Sequence, residues 1–355
     1  MADAPPPSWS AAEVAQLREW VETAPQDALS PPETGALDAA ERSGDQAAIG
    51  NAAAALALRL ARMHLLGAGS PAERAVWPIP DTDSAIDLSA RLNAALSNGS
   101  LKAFFESVRP LYPDYANLRA AYATETAPAR RLTLARNMER WRWMPRELGS
   151  DFVLVNAAAF EVEYWHDGKL AGTRRVIVGK PRTPTPVLAA QITGVTFNPW
   201  WYVPASIVRE SVGGLVRRNP ALARRRGYVW GGGQYRQRPG PGNSLGLVKI
   251  EMPNPRTVYL HDTPDRKLFN REVRALSHGC IRTDDVVGLA EGLLHGVKSR
   301  AEIDAMIASG VNQTIDLPRT VPVYVAYFTA SGGPNGSVRY HADIYGRDGT
   351  VPTSK

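Results

Sequence analysis

Cysteine is almost missing from this chain: of 355 residues, only Cys280 carries a thiol. That excludes an internal disulfide framework and removes the usual internal clue to an oxidising compartment. Long apolar runs are missing too. No stretch approaches the ~20 apolar residues that cross a membrane as a helix. The first residues, Met1-Ala2-Asp3-Ala4-Pro5, lack the charged-then-apolar form of a signal peptide. Taken literally, these absences describe a chain of the cytoplasm. The aromatics do not interleave with lysines and no nucleic-acid motif is present, so nucleic acid is not expected as a partner despite a formal charge of +6.

The one thiol stands in Ser277-His278-Gly279-Cys280-Ile281-Arg282. A lone cysteine is most often a small buried apolar residue. Set between a His-Gly pair and an arginine, Cys280 is instead the candidate nucleophile. A thiol attacks acyl groups as its thiolate and needs a base or positive charge nearby. His261, in Tyr259-Leu260-His261-Asp262-Thr263-Pro264, lies nineteen residues upstream at what reads as a strand end. The polar loop between can double back, so His261 is the candidate base; His278 as base with His261 in support is the reversed assignment. His261, His278 and Cys280 also make a zinc reading possible, but no fourth ligand is evident and structural zinc sites take four. No metal or organic cofactor is expected.

Length suggests roughly two domains. Pro5-Pro6-Pro7 forms a stiff, extended arm, read either as a mobile leader or as a strap against a groove. From Ser10, with Glu13 completing a capping box, the period turns helical. A second helix spans 47–66 and ends at Gly67, with His64 on its apolar side as a core residue. Further helices are expected over 84–98, 101–108 and 114–122, and one carries Leu134, Met138 and Trp141. No chemical constellation lies among them.

From Asp151 the pattern changes to strands, with His166-Asp167-Gly168-Lys169 as a hairpin turn. His166 reads as exposed. Phe197 to Val203, with Asn198, Trp200 and Trp201, is either core or the wall of a substrate groove. Between Pro204 and Asn243 lie about forty residues rich in arginine and glycine, too long for an ordinary connection. Strands follow over 248–250 and 257–261, then a helix capped at Thr283-Asp284-Asp285 that ends near His295, and a last strand over 321–327.

Several motifs in this order resemble the L,D-transpeptidase catalytic-domain family of bacterial cell-wall enzymes. They are the His-Asp-Thr-Pro at 261–264 with SHGCIR at 277–282, Asn137 to Trp143, Val176 to Pro181, Phe197 to Trp201, and Gly240 to Gly246. The likeness runs from about Asp81 to the end and is nearest to the large periplasmic branch with a helical scaffold domain. It lacks the small peptidoglycan-binding domain commonly inserted near Ala123–Arg131.

The resemblance implies an α+β protein: a proline-rich arm over 1–9, an all-helical scaffold domain over 10–145, a mainly β catalytic domain over 146–330 with a lid at about 204–243, and a tail over 331–355. It implies Cys280 as nucleophile and His261 as acid and base, oriented by the backbone carbonyl of Asp262. The N–H groups of His278, Gly279 and Cys280 are expected to form an oxyanion hole, with Tyr259 and Ser277 in support. Arg282 is expected to bind a substrate carboxylate or to brace the loop, and Asn198, Trp200 and Trp201 to line the groove. The implied substrates are peptidoglycan stem peptides and glycan strands, crosslinked onto meso-diaminopimelate and leaning to 1,3-crosslinks from an L-Ala donor. The alternatives are 3,3-crosslinking, a cysteine peptidoglycan hydrolase, and a non-catalytic wall-binding scaffold. Carbapenem acylation of the thiol is implied as well. Export to the periplasm follows from the family, so a signal is inferred to have been trimmed and Met1 to be a cloning start.

Overall fold

The computed structural model describes residues 8–80, 85–333 and 337–353. The proline triplet at 5–7 lies outside the described residues. The chain divides into two compact units, Met1–Glu147 with Phe328–Lys355, and Leu148–Tyr327.

The first unit is helical. Its α1 (Ala11–Thr23) starts at Ser10, whose hydroxyl accepts the Glu13 N–H while the Glu13 carboxylate accepts the Ser10 N–H. Then come α2 (Gly35–Ser43), α3 (Gln46–Leu66), α4 (Pro71–Arg74), α5 (Leu88–Ser97), α6 (Leu101–Ser107), α7 (Pro113–Thr124) and α8 (Pro128–Arg142). Helix α2 is additional to the expected elements and buries only Leu37 and Ala40. Leu17, Leu37, Leu60, Leu92 and Phe105 form the centre of the core. His64 is fully buried on α3 with no hydrogen-bond partner for either ring nitrogen among the described residues, and burial pushes it down to about 3.

The motif from Asn137 to Trp143 is a buried polar seam. The Glu139 carboxylate accepts the N–H groups of Ala68 and Gly69 at 2.8 and 3.0 Å. A side chain at Gly67 would start 2.1 Å from that carboxylate, so the chain passes there only as glycine. Asn137 and Thr329 exchange hydrogen bonds of 2.9 and 2.8 Å, and Arg140 pairs with Asp348 at 2.7 Å. These contacts hold the C-terminal residues in the helical unit. The stretch set apart above as a tail is therefore part of its packing.

The second unit is built on one sheet, from β1 (Phe152–Asn156), β2 (Glu161–His166), β3 (Lys169–Gly179) and β4 (Leu188–Phe197). An insertion follows, with β5 (Trp201–Tyr202), α9 (Ala205–Ile207), a π-helical turn over Val208–Val212, α10 (Gly213–Arg218), α11 (Pro220–Arg225), β6 (Tyr228–Gly231) and β7 (Gln234–Gln237). The sheet resumes in β8 (Val248–Glu251), β9 (Leu260–His261), β10 (Ala275–Ser277) and β11 (Ile281–Thr283), crosses α12 (Val286–Leu293) and α13 (Arg300–Ala308), and ends in β12 (Gln313–Ala326).

Strand order is β10-β3-β11-β9-β8-β4-β12-β1-β2, and β2 also pairs with the first half of β3, joining the ends of the sheet. Asp167 and Gly168 both take positive φ, the turn that Asp-Gly favours between twisted strands. The last strand is longer than expected: β12 begins at Gln313, where charged and proline residues hide the alternation, and its register shifts between Asp316 and Val321.

The insertion has its own small core of Trp201, Val203, Val212 and Leu245, against which Ile207, Val208, Val216 and Tyr259 pack. Its three-stranded sheet runs β5-β7-β6.

Candidate active site

Parallel strands β9 and β11 set the site. Leu260 pairs with Ile281 and His261 with Arg282, and the Ile281 N–H donates to the Tyr259 carbonyl at 3.0 Å. Cys280 therefore enters β11 beside Tyr259. The expected strand over 257–261 shrinks to its last two residues, because Thr257 takes φ +51°.

Ser277 ties the turn that presents the thiol. Its hydroxyl donates to the Cys280 carbonyl at 2.6 Å and accepts the Gly279 N–H at 3.1 Å. The Thr185 hydroxyl donates to the Gly279 carbonyl at 2.8 Å and accepts the Gly179 N–H at 2.9 Å. Gly279 has φ +117°, a backbone state that glycine alone takes readily. The oxyanion-hole assignment needs correction here: the Gly279 N–H already serves Ser277, leaving those of His278 and Cys280.

The Cys280 sulfur lies 3.8 Å from the Thr257 carbonyl, which it faces as a donor. Burial pushes the thiol up, while the N–H and phenol of Tyr259 and the charges of Lys249 and Arg282 pull the other way. The Lys249 ammonium sits 4.9 Å over the Tyr259 ring. Tyr259 is itself raised by burial, and its phenol faces the sulfur and Trp201.

His261 is buried, and its Nδ1 stands 2.5 Å from the Asp262 carbonyl. That contact fixes the Nδ1–H tautomer and leaves Nε2 as the basic nitrogen of the neutral ring. Burial, then the Arg282 charge, pushes His261 down to about 3 against the Asp262 and Leu245 carbonyls. Its ring stands 5.6 Å from that of Tyr259. Among the described residues no hydrogen bond joins His261 to Cys280. The Asp262 carboxylate braces the loop, accepting from the Leu247 N–H and Arg266, both at 2.9 Å. Arg282 is half-buried and feels the charge of Asp265, but it makes no ion pair among the described residues.

His278 turns away from the thiol. Its Nε2 meets the Glu210 carboxylate of the insertion at 2.7 Å and the Lys180 ammonium at 3.4 Å, and His278 holds the Glu210 carboxyl below its usual range.

The groove assignments part company. Asn198 is buried, and its amide donates to the carbonyls of Met306, Ile307 and Val311, so it pins α13 and cannot face a substrate. Trp201 belongs to the core of the insertion. Trp200 is partly exposed with Arg236 5.1 Å over its ring, so it alone of the three remains open to a groove.

Sequence reasoning missed Thr257, Glu210 and Lys180. Only the Pro-Asn-Pro at 253–255 hinted at the first: Asn254 knots that loop through bonds to Met252 and Val258.

Among the described residues, the His, Cys and acidic groups close enough to share a metal are Asp151, His166 and Asp167, not His261, His278 and Cys280. There Asp151 already hydrogen-bonds His166 at 2.5 Å and lies 3.6 Å from the exposed Arg319.

Residues 150–303 match the L,D-transpeptidase catalytic domain, and residues 3–121 match a Scaffold domain, which reaches further back than the motif likeness from Asp81. A curated relative from Haemophilus influenzae, named a putative L,D-transpeptidase, is 32% identical over 239 residues. That alignment covers 61% of this chain and 48% of the relative, so the chain spans about half the length of the curated relative it matches. Two solved structures also align. The catalytic domain of an Enterococcus faecium L,D-transpeptidase acylated by ertapenem is 14% identical, with 51% of this chain and 99% of that chain covered and a TM-score of 0.27. An L,D-transpeptidase from Mycobacterium tuberculosis is 15% identical, with 50% and 57% covered and a TM-score of 0.26. At such scores neither alignment bears on the chemistry.

Proposed function

We propose, from the premise that this chain carries an L,D-transpeptidase catalytic domain and a Scaffold domain, that it crosslinks peptidoglycan stem peptides through a Cys280 thioester. The observation that carries this reading is the juxtaposition on β9 and β11. A lone thiol faces Tyr259 while a neutral imidazole, oriented by a backbone carbonyl, lies two residues along the paired strand.

The reaction is two acyl transfers. Cys280 Sγ attacks a stem-peptide carbonyl carbon, and His261 takes the thiol proton, directly or through one water. The C–N bond breaks, and His261 returns that proton to the departing amine. A side-chain amine of meso-diaminopimelate then attacks the thioester, gives a proton to His261 and releases the thiolate, which is reprotonated. The N–H groups of His278 and Cys280 receive the oxyanion; losing one such donor costs ~10²–10³ in rate. Arg282, which makes no ion pair among the described residues, takes a substrate carboxylate. The insertion acts as a lid latched to the site by Glu210.

The setting is the periplasm, and the donor is L-Ala, giving 1,3-crosslinks. The support for the donor is the passage from α7 to α8 in a few residues, with no wall-binding insert between them. Carbapenems acylate Cys280 by the same attack. Mass spectrometry of muropeptides after incubation with defined tri- and tetrapeptide monomers tests the reaction and its donor. Dimers lost in Cys280→Ala support transpeptidation, and fragmentation identifies the donor. Shortened monomers without dimers would replace it with a hydrolase.

A further inference from the structure

The net positive charge of this chain resides in the insertion. Residues 205–240 hold eight arginines and one acid, Glu210, out of 41 basic and 35 acidic residues in the chain. The 33 basic and 34 acidic residues elsewhere nearly cancel, so the segment carries +7 of a net +6. None of the eight arginines has an ion pair among the described residues, and all but Arg236 are exposed. The single acid is spent on His278 and Lys180.

The apolar side chains of the same segment point inward. Val208, Val212 and Val216 pack on Trp201, Val203 and Leu245, and Ala223 is buried. Arg217 and Arg218 end α10, and Arg224 to Arg226 end α11, so the outer shell of the insertion is guanidinium over a small closed core. Seven like charges held together repel one another unless an anion meets them. The helices keep no apolar face with which to enter a lipid layer, leaving Tyr202 and Trp230 as the exposed aromatics. Guanidinium forks match carboxylates two bonds at a time.

We propose that the outer face of the insertion is a docking surface for a carboxylate-rich polymer, the free peptide stems of the wall, gathered beside the site by Arg217, Arg218 and Arg224 to Arg226. This rests on the function proposed above. The surface holds the polymer by many weak, screened contacts, while the site itself acts on one stem at a time.

The test is co-sedimentation of the full chain, as Cys280→Ala, with insoluble wall sacculi. Replacing Arg224, Arg225 and Arg226 together by Gln is expected to weaken binding roughly tenfold, from the modest worth of each exposed pair. Removing three exposed charges elsewhere, in Arg59→Gln, Arg62→Gln and Lys102→Gln, is expected to leave binding unchanged. Amidating the sacculus carboxylates, or raising salt to about 1 M where screening shortens to about 3 Å, is expected to abolish it. Unaltered binding of the arginine variant, equal binding to amidated sacculi, or tighter binding to phosphatidylglycerol vesicles or to duplex DNA each overturns the proposal. Thermal melting of both variants confirms that they fold. Crosslinking of soluble monomers is scored separately with the intact thiol. Dimers without arginine-dependent binding remove the docking surface alone, and arginine-dependent binding without dimers removes the transpeptidase reading alone.

Discussion

The Glu210 carboxylate lies 2.7 Å from the imidazole of His278, two residues before Cys280 and on a different part of the chain. Glu210 stands on a π-helical turn, a geometry that recurs at functional sites. The pair ties the insertion to the loop that presents Cys280. Both side chains meet solvent, so the tie is weak by construction. Glu210→Gln is expected to speed amide hydrogen exchange across 205–240 by up to about fivefold, with β1 and β12 unchanged. Identical exchange in the two proteins would show that the pair latches nothing.

The resting site is a neutral pair. Burial raises the Cys280 thiol and lowers His261 to about 3, so a preformed thiolate–imidazolium pair is disfavoured from both ends. Alkylation of the free protein by iodoacetamide is expected to be slow at pH 7 and to climb through and beyond pH 9. A plateau reached below pH 8 would mean that the thiolate already exists at rest.

His261→Gln keeps comparable bulk and removes the proposed base. Thioester formation on a donor peptide, followed by intact-protein mass, is expected to slow by about 10²–10⁴. His278→Gln is expected to cost less, because its ring faces Glu210 and Lys180. Equal losses in the two variants would reverse the assignment of the base.

His64 links the helical unit to acid. Its folded value of about 3 lies below the ordinary 6.5, so between those values the unfolded chain binds the extra proton. Stability therefore falls as pH drops through that window, by about 1.4 kcal/mol per unit from this group. His64→Phe is expected to flatten the pH dependence of urea unfolding below pH 6. An unchanged slope would place the sensitivity in other groups.

Much of the site was legible because its parts are adjacent in sequence: SHGCIR presents the thiol, and His261 is oriented by the carbonyl of the very next residue. What escaped depends on contacts made across the fold. Ser277 reads as a helper of the thiol, but its hydroxyl takes the Gly279 N–H, which only the turn geometry reveals. Asn198 reads as groove beside two tryptophans, yet its amide finds three carbonyls more than a hundred residues away. Glu210 is one acid in an arginine-rich stretch and offers no local pattern at all.

Thr257 shows the same blindness at closer range, since a β-branched residue gives no sign that its backbone will turn left-handed. At φ +51° it holds a conformation costing on the order of 1–3 kcal/mol, and its carbonyl is the acceptor facing Cys280 Sγ. The loop is over-determined: the Asn254 amide donates to Met252 and Val258, its side-chain oxygen accepts from Arg256 and Val258, and its carbonyl accepts the Thr257 N–H. Glycine suits a left-handed position, so Thr257→Gly is expected to stabilise the fold by about 1 kcal/mol while loosening the carbonyl that meets the thiol. Acylation of Cys280 by a donor peptide then slows even as the unfolding midpoint rises. If both quantities rise together, the strained turn serves the fold and not the thiol; if neither moves, the left-handed turn costs nothing and positions nothing.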